Sequence, residues 1–241
     1  ADSHMMQGRL IDARRAANEL AERLTPHLSM MPMLESMAVT PISVLLRFGQ
    51  YEEIVKLPEP PGDRPVMHAW WRFARGVAYA KTGRIAEATA ERVALDQAIA
   101  RVPETALFGG TGLESASSIL SLARLVLGAR LAWARDARAE SLGIWMKAVA
   151  AADQIAYDEP PIWFYPLRES LGAVLLDTGR LADAERVFRE DLVRHPRNPR
   201  SLFGLHETLV RLGRTTDAAW IKAAFEDVWK DADAPLSLAA F

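Results

Sequence analysis

The phrase Gly-Arg-x-x-(Asp/Glu)-Ala occurs four times in this chain, and it constrains the fold more than any other feature. Its copies begin at Gly8, Gly83, Gly179 and Gly213. The last two copies lie 34 residues apart, from position 179 to position 213. A repeat of that period predicts stacked helix-turn-helix units, each packed on its neighbours in one continuous array.

Composition supports a helical array and excludes several classes of protein. Half of the 241 residues are apolar, enough for a continuous core. Good helix formers dominate and period-two alternation is missing from the sequence, so we expect an all-α fold without a sheet. The net charge of −2 and the pI of about 6.3 disfavour a nucleic-acid partner, which needs a basic face.

The lack of cysteine and the hydropathy pattern exclude further classes of site and segment. The sequence holds no cysteine, so disulfides and cysteine-ligated metals are excluded. No apolar run reaches the ~18 residues of a bilayer span, so no membrane span is predicted. The compartment stays open between a bacterial cytoplasm and periplasm, because proteins of either can lack cysteine.

The start of the chain predicts a fragment. Residues 1–5 resemble a cloning scar and are left out of the predicted fold. The turn at Gly8 precedes a helix over about 9–24, but the sequence predicts no helix before that turn. We therefore expect the C-terminal part of a longer repeat protein. Residues 6–241 are predicted to form one right-handed superhelix of about five or six antiparallel helical hairpins.

The repeats resemble the tetratricopeptide family, in which small residues let paired helices approach and large residues fill the space between units. With Tyr165 as the first position, this pattern falls on Leu171, Gly172, Leu175, Gly179, Ala184, Phe188 and Pro196. The resemblance implies clear units at about 69–102, 165–198 and 199–232. It implies degenerate units at about 35–57 and 113–156.

Three further stretches resemble a group of bacterial tetratricopeptide proteins. They span residues 158–166, 188–192 and 201–205, with the sequences DEPPIWFYP, FREDL and SLFGL. Members of that group extend further at the N-terminus, in agreement with the expected truncation. This resemblance implies an architecture rather than a biochemical role.

The family resemblance also implies a binding surface on the inner helix of each unit. Carried over position by position, the predicted groove contacts are Trp70, Phe73, Lys81, Glu169, Asp177, Arg200, Phe203, Glu207 and Arg211. Aromatic and arginine side chains are common anchors of protein interfaces. The function implied is a non-catalytic scaffold that binds a protein or peptide partner. Alternatively, the aromatic side chains pack on the neighbouring helix.

Two further features bear on the predicted binding surface. Some relatives clamp a partner's terminal carboxylate with lysine and asparagine, but residues of other types stand at those positions here, among them Phe73, Val77 and Ala173. We therefore expect no such clamp and no chaperone-tail partner.

Trp163, Phe164 and Tyr165 follow a double proline and are predicted to seal the seam between two units, rather than to form an exposed platform.

Motifs for catalysis or cofactor binding are missing from the sequence. Its histidines lack paired ligand spacing, and the glycines at 109–112 lack the following lysine of a phosphate loop. We expect no enzyme activity, metal or cofactor. Alternatives are a metal- or small-molecule-binding accessory protein, through the Met/His run 27–37 or the loop at 108–112, and a regulatory array of a longer enzyme. Thioethers with an imidazole suit Cu(I), but methionine more often fills irregular gaps.

Overall fold

The computed structural model describes residues 1–110, 112 and 114–241. The described residues form successive pairs of antiparallel helices, so the prediction of an all-α fold is confirmed. The helices are α1 Asp2–Met6, α2 Leu10–Leu24, α3 Glu35–Ala38, α4 Thr40–Arg47, α5 Tyr51–Ile54, α6 Pro65–Lys81, α7 Ile85–Ile99, α8 Ala116–Ala134, α9 Arg138–Ala152, α10 Leu167–Asp177, α11 Leu181–Arg194, α12 Pro199–Arg211 and α13 Thr215–Trp229.

A left-handed backbone residue marks the turn of every hairpin in the described part of the chain. The turn residues and their φ angles are Gly8 73°, Gly49 67°, Gly83 76°, Asp136 62°, Gly179 74° and Gly213 73°. Glycine suits this conformation because it has no Cβ atom. The turns join α1–α2, α4–α5, α6–α7, α8–α9, α10–α11 and α12–α13.

The other residues of the repeated phrase hold the start of the second helix. The arginine after the glycine is the N-cap residue, and its guanidinium pairs with the acidic side chain three residues later, as in Arg180–Asp183 at 2.5 Å and Arg214–Asp217 at 2.6 Å. That carboxylate lies in the first helical turn, where the helix dipole favours negative charge. The closing alanine, such as Ala88 or Ala184, is fully buried against the partner helix.

The α8–α9 hairpin forms the same turn without the phrase. Asp136 occupies the glycine position, with a φ of 62°. Ser141 replaces the closing alanine; it is fully buried, and its hydroxyl donates to the carbonyl of Ala129 at 2.9 Å. The hydrogen bond satisfies a polar group that would otherwise be buried without a partner.

Close helix packing depends on glycine where the fifth hairpin meets the sixth. The ring of Phe188 on α11 lies against Gly172 on α10 and Gly204 on α12. A Cβ atom added at Gly172 would lie 2.5 Å from the ring, and one at Gly204 would lie 2.2 Å from it. The contact at Gly172 is the one that the repeat pattern predicts; Gly204 extends it to the next hairpin.

The two ends of the array meet. Both carboxylate oxygens of Asp233, which follows α13, accept hydrogen bonds from backbone N–H groups at the start of α2: Leu10 at 2.6 Å and Ile11 at 3.1 Å. The backbone N–H of Asp233 also donates to the carbonyl of Gly8 at 3.2 Å. An acidic side chain from the far end of the chain therefore caps α2.

The structure differs from the sequence expectations in three places. A short helix, α1, precedes the Gly8 turn, and its Met5 is buried, whereas residues 1–5 had been left out of the fold. The unit expected to begin at about 165 has its first helix from Leu167. A two-residue hairpin, β1 Leu107–Phe108 and β2 Glu114–Ser115, corrects the expectation of no sheet. The expected loop 108–112 and the helix start at 113 include residues 111 and 113, which lie outside the described residues.

The helix α8 is long and apolar enough to meet the length and composition criteria for a membrane span. Its most apolar window has a mean hydropathy of 1.2, and 61% of that window is buried within the protein. Ala123 and Leu127, for example, are fully buried in the main core. Burial of this kind is typical of a central core helix.

Candidate functional site

A groove opens between the inner helices of the array. It has a volume of about 510 Å³ and receives side chains from α5, α6, α8, α9 and α10. Its polar and aromatic lining includes Tyr51, Lys81, Arg130, Trp133, Trp145 and Asp177. We call this cavity the inner groove. Ligand-binding pockets are generally concave, with apolar and aromatic walls and a few polar groups.

The C-terminal segment of the chain lies in the inner groove. Leu238 and Phe241 line the cavity, and the side chain of Phe241 is only 4% exposed. Its ring stacks on that of Phe203, with 6.2 Å between the ring centroids. The guanidinium of Arg200 lies 5.6 Å from the centroid of the Phe241 ring. We call residues 235–241 the tail.

Cationic side chains hold the backbone of the tail. The ammonium group of Lys81 donates to the main-chain oxygen of Phe241 at 2.8 Å, and Arg130 donates to the same oxygen. Arg200 donates to the carbonyl of Ala240 at 2.8 Å. Three cations from α6, α8 and α12 therefore converge on the last two residues of the tail, and charge-assisted bonds of this kind are among the stronger hydrogen bonds.

A buried ion pair forms the floor beside the tail. Arg47 at the end of α4 makes two hydrogen bonds to Glu169 on α10, at 2.5 and 3.0 Å, and both side chains are almost fully buried. Arg200 also donates to the main-chain oxygen of Arg47 at 2.5 Å. The second, fifth and sixth hairpins are thus joined through one polar network, which ties the position of Arg200 to that of the ion pair.

Burial and the neighbouring cations lower the pKa values of two of these side chains, Lys81 and Arg200. Burial, with the charges of Arg130 and Arg200, holds the pKa of the Lys81 ammonium well below its usual range. Burial and the charge of Arg47 lower the pKa of Arg200 to about 9. Oxygen acceptors at this end of the groove, such as those of the tail, favour the charged forms of both side chains.

A second network positions α12 and therefore Arg200. The buried carboxylate of Asp191 accepts hydrogen bonds from Asn198 Nδ2 and Ser201 Oγ, both at 2.6 Å. Asn198 in turn caps α12 by accepting a hydrogen bond from the backbone N–H of Arg200 at 3.2 Å. His195 contacts the other oxygen of Asp191 at 3.0 Å.

The structure brings several of the predicted contacts to the inner groove. Lys81 and Asp177 line the cavity, and Asp177 is exposed. Phe203 and Arg200 touch the tail instead of open solvent. These four positions come from three different units of the repeat, so the inner-helix rule placed them on a common face.

Four of the predicted contacts are not accessible. Trp70, Phe73, Glu169 and Arg200 are between 1% and 5% exposed. For Trp70 and Phe73 the reason is packing, since their rings contact each other at 5.2 Å within an aromatic core. Glu169 is committed to Arg47. These four side chains are therefore not open to solvent, Arg200 because it is bonded to the tail and to Arg47.

The two remaining predicted contacts lie outside the groove lining. Glu207 is partly exposed, and its carboxylate is 3.8 Å from the ring of His206. Arg211 is exposed and donates to the carbonyl of Leu176 at 3.1 Å. Arg211 thus helps to join α12 to the end of α10.

The aromatic run at 163–165 seals the interior, as predicted. Trp163 is 7% exposed and packs edge-to-face on Trp70, with 5.5 Å between the ring centroids. It also contacts Phe73 at 5.8 Å. The run therefore joins the start of the fifth hairpin to α6 of the third.

Sequence reasoning missed Arg130, Trp133 and the tail. A signal for the first two was available. Arg130 precedes the turn residue Asp136 by six positions, as Val77 precedes Gly83 and as Glu207 precedes Gly213. Aligning the degenerate unit on its turn residue would have placed Arg130 on the groove face. The tail carries no comparable signal.

Three methionines of the Met/His run lie at the surface. Met30, Met31 and Met33 are 84%, 47% and 45% exposed, so their side chains do not fill gaps in the core. Across the described residues there is no cluster of three or more histidine, cysteine or acidic side chains that could hold a metal ion. Copper binding by the thioethers stays a prediction.

No family model matches the chain, and no curated protein matches it significantly. The stacked helix pairs are compatible with a helical-repeat solenoid. The case for a function therefore depends on the residues of the inner groove.

Proposed function

We propose that this chain is a tetratricopeptide-type interaction module that binds a peptide segment of a protein partner in the inner groove, without catalysis. One observation carries the proposal: the groove already accommodates a peptide segment, the tail, through side chains from several hairpins. Lys81, Arg130 and Arg200 bind its main-chain oxygens. Phe203 receives its aromatic ring.

The mode of binding is suited to peptides. Hydrogen bonds to main-chain oxygens give affinity without reading the sequence, and an aromatic anchor in a desolvated pocket adds specificity. The open part of the groove beside the tail is lined by Trp133 and Asp177. A cationic or amide group of the partner facing Asp177 would complement that wall.

Peptide selection tests the proposal directly. A random-peptide display library is panned on the full chain and on the full chain with Phe241→Lys, and the enriched peptides are titrated by fluorescence anisotropy. Two groove substitutions, Trp133→Ala and Asp177→Lys, are compared with Glu140→Lys. The last makes the same charge change at an exposed position on the outer helix α9.

Groove binding predicts that the enriched peptides lose ~10-fold or more in affinity with each groove substitution and bind the Glu140→Lys chain as tightly as the wild type. The proposal is wrong if neither chain enriches peptides. It is also wrong if the enriched peptides bind the groove variants and the control equally well.

A further inference from the structure

The tail occupies the position that the proposed function assigns to a partner. Phe241 is 4% exposed between Phe203 and Arg200, and its main-chain oxygen accepts from Lys81 and Arg130. A partner peptide cannot use these groups while the tail does. We propose, on the basis of the proposed function, that the tail is an intramolecular competitor for the groove. A partner peptide that carries an aromatic residue beside an anionic or main-chain oxygen must displace it.

Apart from its contacts with the groove, the tail has little backbone structure of its own. Its backbone hydrogen bonds within the segment are those of a single 3₁₀ turn over Leu238–Ala240, including Phe241 N–H to the carbonyl of Leu238 at 3.3 Å. That turn follows Pro235 and the exposed Ser237, and the anchor to α2 is made earlier, by Asp233. Residues after Asp233 can therefore leave the groove while the ends of the array stay joined.

The chemistry of the groove also describes the competing partner. The cations at the end of the groove serve the tail's main-chain oxygens, whereas Glu169 is already paired with Arg47. A ligand with a carboxylate at the position of the Phe241 oxygen would place a negative charge beside the guanidinium of Arg130. The aromatic pocket formed by Phe203 and Arg200 selects for a ring, because a guanidinium and an aromatic face both favour one.

Adding the tail as a separate peptide tests the competition. A fluorescent peptide of residues 232–241 is titrated into the full chain, into Phe241→Lys and into Ser237→Lys. Phe241→Lys places a cation among Lys81, Arg130 and Arg200, and it should expel the tail. Ser237→Lys adds the same charge at an exposed tail position. Peptides ending in a carboxylate or in an amide distinguish the two oxygen chemistries.

Competition predicts that Phe241→Lys binds the free-carboxylate peptide at least ~10-fold more tightly than the wild type and Ser237→Lys, because a tethered ligand acts at a high effective concentration. Arg130→Ala in the Phe241→Lys chain should abolish that gain. The inference is overturned if Phe241→Lys, folded by circular dichroism, binds the peptide no better than the wild type.

A second measurement covers the case in which Phe241→Lys does not fold. The chain has no cysteine, so Ser237→Cys gives one labelling site for a fluorophore on the tail. Excess unlabelled tail peptide should lower the anisotropy of that fluorophore as the tail is released. Constant anisotropy up to millimolar peptide overturns the inference. In either experiment the proposed function itself survives if selected peptides remain sensitive to Asp177→Lys.

Discussion

Arg47 and Glu169 form a buried, doubly hydrogen-bonded ion pair between the second and the fifth hairpin, 122 residues apart in the chain. The side chains are 2% and 1% exposed. Neighbour-to-neighbour stacking alone does not bring these hairpins together. The pair therefore marks the place where the array curls around the inner groove.

Removing one partner of the Arg47–Glu169 pair should lower the free energy of unfolding more than replacing both partners with apolar residues. Arg47→Ala leaves a buried carboxylate without its partner, and we expect a loss of ~3–5 kcal/mol in the free energy of unfolding. The double variant Arg47→Met, Glu169→Leu should lose less, because no charge stays buried. Urea unfolding of Arg47→Met, of Glu169→Leu and of the double variant measures this coupling; additive losses would contradict it.

Methyl groups added beside Phe188 should destabilise the fifth and sixth hairpins. Gly172→Ala and Gly204→Ala each place a Cβ atom within 2.5 Å of the ring, and overpacking of this kind costs ~1–3 kcal/mol. Phe188→Leu should reduce the penalty of either substitution, which a double-mutant cycle in chemical denaturation can measure. Gly143→Ala is the control, since nothing lies within 4 Å of a Cβ added there. Equal effects at Gly143 and Gly172 would argue against the close contact.

Replacing Asp136 with glycine should stabilise the α8–α9 hairpin. Asp136 has a φ of 62°, a conformation that is unfavourable for residues with a Cβ atom. Relief of this strain is worth up to ~1 kcal/mol, offset in part by the loss of the exposed ion pair with Arg138. Thermal unfolding should show a higher midpoint for Asp136→Gly and a lower one for Gly83→Asp, the reverse exchange at an equivalent turn. A lower midpoint for Asp136→Gly would refute the strain.

The contact between His195 and Asp191 should make stability depend on pH. The hydrogen bond to Asp191 raises the pKa of His195 above 6.5. A raised pKa means that the folded state binds the proton more tightly, so the contribution is complete below pH 6.5 and is lost as the pH rises through the folded-state value.

The difference in unfolding free energy between wild type and His195→Ala should therefore be larger at about pH 5.5 than at about pH 8.5. Urea titrations at the two pH values measure it. His27→Ala removes an exposed histidine and is the control. A difference that grows with pH would contradict the assigned sign.

The local pattern predicted most of the fold. The repeated phrase located turns and buried alanines because left-handed glycine and small helix contacts are requirements of each hairpin by itself. The same rule placed Lys81 and Asp177 on the inner face.

Long-range closure could not be predicted in this way. Lys81 and Phe241 are 160 residues apart, and a helix-period rule says nothing about which distant segment fills a groove. Trp70 and Arg200 occupy inner-face positions, yet aromatic packing and the Arg47 network bury them. Their burial follows from how far the array curls, which depends on contacts among all hairpins.

Hydrogen exchange of the full chain, with and without a peptide selected for binding, tests the central claim most directly. If the inner groove binds partners, protection should increase at the C-terminal ends of α6 and α8 and along α10, around Lys81, Trp133 and Asp177. Exchange in the tail should rise at the same time. Protection confined to the outer helices α7 and α11, with an unchanged tail, would contradict the account.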